Sequence, residues 1–306
     1  MYDRNVNRQW LVDNNESPVD GNAIVLGVTL PAVSYQPNEF GASQVITARA
    51  DFLNEHVGLF FVLILRKICF NLFSYAKKPG IEIYKNLVVE LPIKDGKIDF
   101  DFMESIIAEL EACRIAELEA YLSVTGLKDY ILTAEEEMAL ANFNEWQWSS
   151  YNLEKLFGKS TRGKRLKSAD RIEGVLPFVT AGEADEGISA YIGNDVEIFD
   201  ANTTTIDMFG SAKYRNYQYG ADDHVAVVHT EALPKYAAIF VTTAIHKSSH
   251  TGIFSYSKNF YAKDADSLDI LLPTKDGTPD YERMSRLISA IQKLVIKDVV
   301  LYADKK

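Results

Sequence analysis

The chain repeats itself at a spacing of 181 residues, and this constrains its fold more than any other feature. Phe73-Ser74-Tyr75 returns as Phe254-Ser255-Tyr256, and Leu91-Pro92-x-Lys94-Asp95-Gly96 returns as Leu272-Pro273-x-Lys275-Asp276-Gly277. The stripe Met103, Ile106, Ile107, Leu110, Cys113 returns at the same offset as Met284, Leu287, Ile288, Ile291, Leu294. Solenoid repeats run to roughly 20–50 residues. The longer period predicts two similar globular modules in tandem, each ending in a long helix. Such a duplication gives pseudo-twofold symmetry in one polypeptide, which suits a reader of two separated half-sites on duplex DNA. A duplicated fold without functional symmetry is the alternative that the repeat leaves open.

With 306 residues, 47% of them hydrophobic, the chain can bury two cores of ordinary size. Its only cysteines, Cys69 and Cys113, lie in apolar runs and read as small buried hydrophobes in a reducing cytoplasm. The polar start Met1-Tyr2-Asp3-Arg4-Asn5 is followed by no apolar stretch of the secretory kind. The longest apolar run, Val57 to Leu65, is about half of a bilayer span, so a soluble protein with no membrane partner is expected. A net charge of −11 counts against nucleic acid when taken as one number, because phosphate binding rests on Lys and Arg. The distribution says more. Lys155, Lys159, Arg162, Lys164, Arg165, Lys167 and Arg171 crowd one segment, whereas residues 99–137 are rich in Asp and Glu. One face can meet phosphate while the helices meet something else.

Residues 1–56 carry short β-type runs such as Ala23-Ile24-Val25-Leu26 and Val45-Ile46-Thr47, broken by Gly27, Pro31, Pro37 and Gly41, and read as strands and loops. The stretch from Asn54 to Lys67 fits either a buried helix or a strand, while the Ala-rich Lys235 to Lys247 favours helix. Leu87 to Pro92 and Leu268 to Pro273 read as short strands closed by proline, each followed by a Lys-Asp-Gly turn. An amphipathic helix follows each turn, capped by Asp99 or Asp101 in the first copy and beginning near Pro279-Asp280 in the second. About 24 residues at roughly 1.5 Å each give a rod near one turn of B-DNA. The matching stripes, Met103, Ile107 and Leu110 against Met284, Ile288 and Ile291, predict that the two helices pack together. The copies are unequal in one respect. The basic segment from Leu153 through Thr180 has no counterpart before Met1, so the first module reads as N-terminally shortened by roughly 30 residues.

No catalytic constellation is visible. Gly158-Lys159-Ser160 lacks the preceding glycine of a phosphate-binding loop, with Leu153 in its place. Asp222-Asp223-His224 with His229 matches no standard ligand spacing, and turn or surface roles are expected. What remains is basic and aromatic. Lys213-Tyr214-Arg215-Asn216-Tyr217 interleaves cations with tyrosines, a mixture suited to phosphate oxygens and base edges, and His246-Lys247-Ser248-Ser249-His250-Thr251 displays donors at the end of a helix. Each could also be an ordinary solvated loop.

At these residues the chain resembles the DNA specificity subunits of type I restriction-modification systems and the related subunits of bifunctional restriction enzymes. The likeness is closest from Gly163-Lys164-Arg165-Leu166 through Pro177-Phe178-Val179-Thr180, Gly187-Ile188-Ser189, Ile206-Asp207-Met208-Phe209-Gly210 and His246-Lys247 to Ala290-Ile291-Gln292-Lys293-Leu294. The resemblance implies an α+β fold of two duplicated target recognition domains joined by two long helices in an antiparallel coiled coil. It places the first recognition domain at 1–98, a central helical region at 99–150, the second recognition domain at 151–278 and a C-terminal helix at 279–306. It also implies that each domain reads half of a split sequence in double-stranded DNA, that the helices dock methyltransferase subunits, and that a motor-nuclease subunit joins indirectly. Catalysis then lies in the partners, and no cofactor is expected in this chain.

On this reading Lys164, Arg165, Lys213, Arg215 and Lys247 contact phosphate or bases, with Tyr214, Tyr217, Ser249 and His250 reading edges or positioning. Arg66, Lys67 and Tyr35, the last near the position of Tyr217, are the equivalents in the first module. The rival readings are an interaction scaffold that has lost DNA readout and a divergent nuclease.

Overall fold

The computed structural model describes residues 8–14, 16–28, 32–74 and 76–305. Tyr75 of the repeated triplet, the break at Pro31 and the polar start Met1 to Asn5 lie outside the described residues. The chain divides into two compact units, residues 1–124 with 303–306, and residues 125–302.

In the first unit a short helix α1 (Arg8–Asp13) precedes β1 (Pro18–Val19), β2 (Ala23–Gly27), β3 (Val33–Gln36), β4 (Phe40–Gly41) and β5 (Val45–Ala48). Helix α1 is an addition to the strands and loops expected there. The main sheet has the order β3-β2-β5, all antiparallel, and β1 pairs with β4. Asn54 then caps α2 (Glu55–Leu72) by accepting from the amide of Val57, which settles the apolar stretch as helix. Its inner face packs Val62 and Cys69 against Ile24, Leu26 and Val33 of the sheet to form the core. Helix α3 (Ile81–Lys85), the hairpin β6 (Ile93–Lys94) and β7 (Lys97–Ile98), and α4 (Phe100–Val124) complete the unit.

The second unit opens with α5 (Ala134–Ala141), β8 (Trp148–Asn152), α6 (Leu153–Phe157) and β9 (Thr161–Arg162). Then come β10 (Glu173–Val179), β11 (Ile188–Ile192), β12 (Thr203–Asp207), β13 (Ala212–Arg215), β14 (Gly220–Ala221) and β15 (Val225–Val228). Helices α7 (Lys235–Ser249) and α8 (Ala262–Asp266), strands β16 (Asp269–Lys275) and β17 (Thr278–Pro279), and α9 (Tyr281–Lys305) follow, the second unit ending within α9 at Tyr302. Its sheets have the orders β13-β12-β15-β9, β11-β10-β14 and β17-β16-β8. Helix α7 lies over the first of these, where Val241 and Ile245 meet Ile206 and Val228 in the larger core.

The repeat survives in detail. Asp99 accepts from the amide of Phe102 at 3.0 Å and Asp280 from that of Arg283 at 2.9 Å, so the same cap starts α4 and α9, each 25 residues long. Asn22 and Asn202 both sit in left-handed backbone, at φ 48° and 66°, a conformation that Asn tolerates better than most residues. Asn22 donates to the Leu53 carbonyl and accepts from the Tyr35 hydroxyl at 2.8 Å; Asn202 donates to the Leu233 carbonyl and accepts from the Tyr214 hydroxyl at 2.9 Å. This latch ties the sheet to the segment entering α2 or α7. Burial pushes both phenols above their usual pKa, which keeps them donors.

Four sequence expectations need correction. Leu87 to Pro92 is extended but not a strand: β16 forms its ladder with β8, and among the described residues the first unit has no segment corresponding to β8. The helical stripes do not face one way along their length. Met103 and Ile107, like Met284 and Leu287, are buried near the starts of their helices, and Met284, Leu287 and Ile288 join the second unit's own core, whereas Leu110 and Ile291 are exposed. Cys69 is buried but Cys113 is exposed. Residues 125–150 lie within the second unit rather than in a separate central region, because Glu136 accepts from Ser289 and Lys293 of α9, and Trp148 stacks on Phe240.

Candidate nucleic-acid interface

Positive charge is concentrated early in the second unit, from α6 to β10. Lys155, Lys159, Arg162, Lys164, Arg165 and Lys167 are all exposed. The loop carrying the last three is held by its backbone. The amide of Lys164 donates to the Ala221 carbonyl at 3.1 Å, and a Cβ on Gly163 would stand 1.6 Å from that oxygen. Only glycine lets the two chains approach so closely, and the close approach leaves the side chains at 164, 165 and 167 pointing to solvent. Arg165 lies 3.9 Å from Asp223, an exposed ion pair that salt weakens. Arg171, the last cation of the run, is structural. Its guanidinium covers the Phe178 ring at 5.1 Å and donates to Ser189 and the Leu166 carbonyl.

The Lys213 to Tyr217 segment is mostly turned inward. Arg215 is 1% exposed; Nε donates to Thr205 Oγ1 and Nη1 to the Tyr217 hydroxyl, both at 2.9 Å, and the guanidinium lies over the Tyr219 ring. A buried guanidinium with these partners cannot reach a duplex without breaking the core, so Arg215 is not a base reader in this conformation. Tyr217 is engaged by Arg215 and packs edge-on against Tyr219, and Tyr214 is engaged by Asn202. The side chain of Lys213 is 16% exposed and lies between Glu183, at 3.2 Å, and Asp207, at 3.9 Å. The Ser211 hydroxyl first, and then Lys213 and His250, hold the Glu183 carboxyl below its usual pKa, so this cation is already neutralised.

The end of α7 divides in the same way. Ser249 is fully buried and donates to the carbonyls of Gly210 and Ile245, which removes it from any contact surface. His246 accepts the Ala212 amide on Nδ1 and stacks on His250 at 4.7 Å. Lys247 and His250 are exposed.

In the first unit Arg66 and Lys67 are exposed on α2, with Arg66 Nε donating to the Val33 carbonyl at 2.7 Å. Tyr35 is the counterpart of Tyr214, not of Tyr217, because it occupies the same register on β3 and makes the same bond to an Asn. Asp222, Asp223 and His224 do bring one ligand atom each within 4.8 Å of one another, but His229 lies elsewhere, bonded to Thr161 and Glu231. His224 and Asp223 make a close pair at 2.9 Å with Arg165 beside them. This is a neutralising cluster rather than an acidic cage. Two exposed groups escaped the site assignment. Arg162 was legible within the basic run, while Tyr191 on β11 had no sequence signal.

The chain thus holds two duplicated α+β modules, each closed by a 25-residue helix, with an exposed basic loop in one of them. Residues 1–120 match the family described as type I restriction modification DNA specificity domain. A specificity subunit of a type II restriction enzyme, S.BcgI from Heyndrickxia coagulans, is 26% identical over 247 residues, spanning 78% of this chain and 67% of that protein. The solved structure of a type I restriction-modification S subunit from M. genitalium superposes with a TM-score of 0.60 at 16% identity, over 94% of this chain and 79% of that one, which is a likeness of fold. The resemblance read from the residues thus agrees with the family that residues 1–120 match and with the specificity subunit to which most of the chain is similar. Among the described residues no helix is long and apolar enough to cross a membrane.

Proposed function

We propose that the chain is the non-catalytic, cytoplasmic subunit that gives a restriction-modification complex its DNA target, with the second unit as the principal reader. The observation that supports this most directly is the loop of Gly163 to Lys167, whose backbone is fixed against Ala221 while its cations face solvent. A fixed backbone with free basic side chains suits phosphate contacts, which position a protein on duplex DNA. Lys164, Arg165 and Lys247 are the proposed phosphate contacts, with His250 beside them in role. Arg66, Lys67 and Tyr35 are the weaker proposals for the first unit. The exposed halves of α4 and α9, including Leu110 and Ile291, are proposed to dock methyltransferase subunits, with a motor nuclease joining through them.

The test is selection from a randomised duplex pool by the chain reconstituted with its methyltransferase subunits. A split consensus with a fixed gap supports reading by both units, and a single half-site restricts reading to the second. No enrichment refutes the proposal and favours a scaffold.

A further inference from the structure

The repeated triplet Phe-Ser-Tyr is followed two residues on by a lysine in both copies, Lys77 and Lys258, and the segment closes on itself in the same way twice. In the first unit the Ser74 amide donates to the Lys77 carbonyl at 3.2 Å, and the Lys77 amide donates back to the Ser74 carbonyl at 3.0 Å. In the second unit the matching bonds between Ser255 and Lys258 are both 3.0 Å. The phenylalanine turns inward each time. Phe73 is buried edge-on against Tyr84, and Phe254 packs edge-on against Phe260 at 5.0 Å. The aromatic anchor and the closed bridge account for the fold of this turn.

They do not account for its two other side chains. Tyr256 stands at the corner of the turn and is 84% exposed, with its ring edge-on against Phe209 at 5.2 Å. Its hydroxyl makes no hydrogen bond among the described residues, so it is free to donate or accept. Lys258 closes the bridge through main-chain atoms that any residue supplies. Its ammonium lies 5.8 Å from the centre of the Phe254 ring and has no carboxylate partner among the described residues. Neither side chain is held in the core, yet the sequence carries tyrosine and lysine at these places in both copies.

The surroundings decide what such a turn can meet. No Asp or Glu occurs from Ala232 to Lys263, whereas Lys247, His250, Lys258 and Lys263 are exposed. Glu183, which reaches this end of α7 from the loop between β10 and β11, is bonded to Lys213 at 3.2 Å. The turn therefore continues the surface of Lys247 and His250 with a projecting phenol and one more cation. Cations of this kind position a protein on phosphates, and a hydroxyl with both donor and acceptor capacity suits the edges of bases in a groove.

We propose that the turn from Phe254 to Lys258 is a contact for duplex DNA, in which Tyr256 enters a groove and bonds a base edge while Lys258 meets a phosphate beside it. This rests on the reading of the chain as a DNA-binding subunit.

The experiment uses the chain reconstituted with its methyltransferase subunits. Labelled duplexes of random sequence give the salt dependence of binding, and the randomised pool gives the selection. Lys258→Ala is expected to weaken binding to all sequences alike and to lower the salt slope by about one. Tyr256→Ala is expected to leave the slope unchanged and to relax selection at one position of the enriched sequence. Both side chains are exposed, so an unchanged melting temperature is the control. If the wild-type complex selects a sequence and either variant keeps both its slope and its selection, the proposal is overturned. Release of a methyltransferase subunit by Tyr256→Ala would also overturn it, since the turn would then dock protein. A wild-type complex that binds no duplex overturns the underlying reading and this proposal with it, and that failure is recognised before any substitution is made.

Discussion

The two units are built on one plan but resolve it differently, and the difference separates what the fold requires from what the second unit adds. Both keep the antiparallel core of three strands, the helix across it, the Asn–Tyr latch and the Asp-capped long helix. Among the described residues only the second has strands β8 to β11, the basic loop, and a buried cation, Arg215, whose counterpart on the strand register is Gln36. The shared parts make a domain that stands up. The added parts carry the charge that suits a polyanion.

The sharpest way to break this comparison is Arg215→Ala. Removing a buried guanidinium takes away the bonds that Thr205 Oγ1 and the Tyr217 hydroxyl accept and leaves a cavity over Tyr219, and should lower the stability of the second unit by about 3 kcal/mol, whereas Gln36→Ala should cost the first unit less than about 1 kcal/mol. Calorimetry of both variants would decide. A stable Arg215→Ala protein with altered sequence preference would return this residue to the reading surface.

Next in size are the latches. Asn202 donates to three carbonyls and Asn22 to one, so Asn202→Ala should cost about 2–3 kcal/mol and Asn22→Ala about 1–2 kcal/mol in denaturant unfolding. Equal costs would mean that the bond from tyrosine carries the latch alone. A smaller contrast lies in the helices. A Cβ on Gly58 would stand 2.4 Å from the Tyr35 ring, while the second unit holds Ala238 at the matching place in α7, so Gly58→Ala should destabilise the first unit by about 1–2 kcal/mol despite the better helix propensity of Ala.

The junction of α5 with α9 gives a pH test confined to the second unit. Burial opposes ionisation of Glu136, but bonds from Ser289, the Thr133 amide and Lys293 outweigh it and hold the carboxyl below its usual range; Asp129 is lowered by Lys293 and the Ile131 amide. Both contributions are complete above the unfolded carboxylate range near pH 4.3 and are lost as pH falls through the lower folded values. Acid titration should therefore loosen α5 from α9, read as faster amide exchange in α5, and Glu136→Gln should flatten that dependence. Lys293 is raised, so its share disappears only in strong alkali. The smallest effect on stability belongs to the basic loop. Lys164→Ala should change stability by less than about 0.5 kcal/mol, yet lower the salt slope of DNA binding by about one. An unchanged slope would remove Lys164 from the interface.

Local signals made much of this legible. The two long helices, the Asp caps and the turn after Pro92 or Pro273 depend on neighbours within a few residues, and all three appear in the fold. Leu87 to Pro92 failed as a strand for a different reason. Its sequence is as strand-like as that of Leu268 to Pro273, but a strand exists only with its partner, and β8 lies more than one hundred residues from β16. Arg215 was misread because period-two alternation says which residues share a face of β13, not that both faces of the adjoining β12 are covered. The inward turn of Ser249 likewise depends on Gly210, a distant residue whose lack of Cβ admits the helix end.

The glycine at 163 bears on how freely the basic loop can vary. Because the loop is anchored through main-chain atoms, the residues that follow owe nothing to the core, and drift at positions 164, 165 and 167 need not be compensated elsewhere. The charge of this surface can thus be altered one substitution at a time without disturbing the fold, while position 163 itself is closed to any side chain.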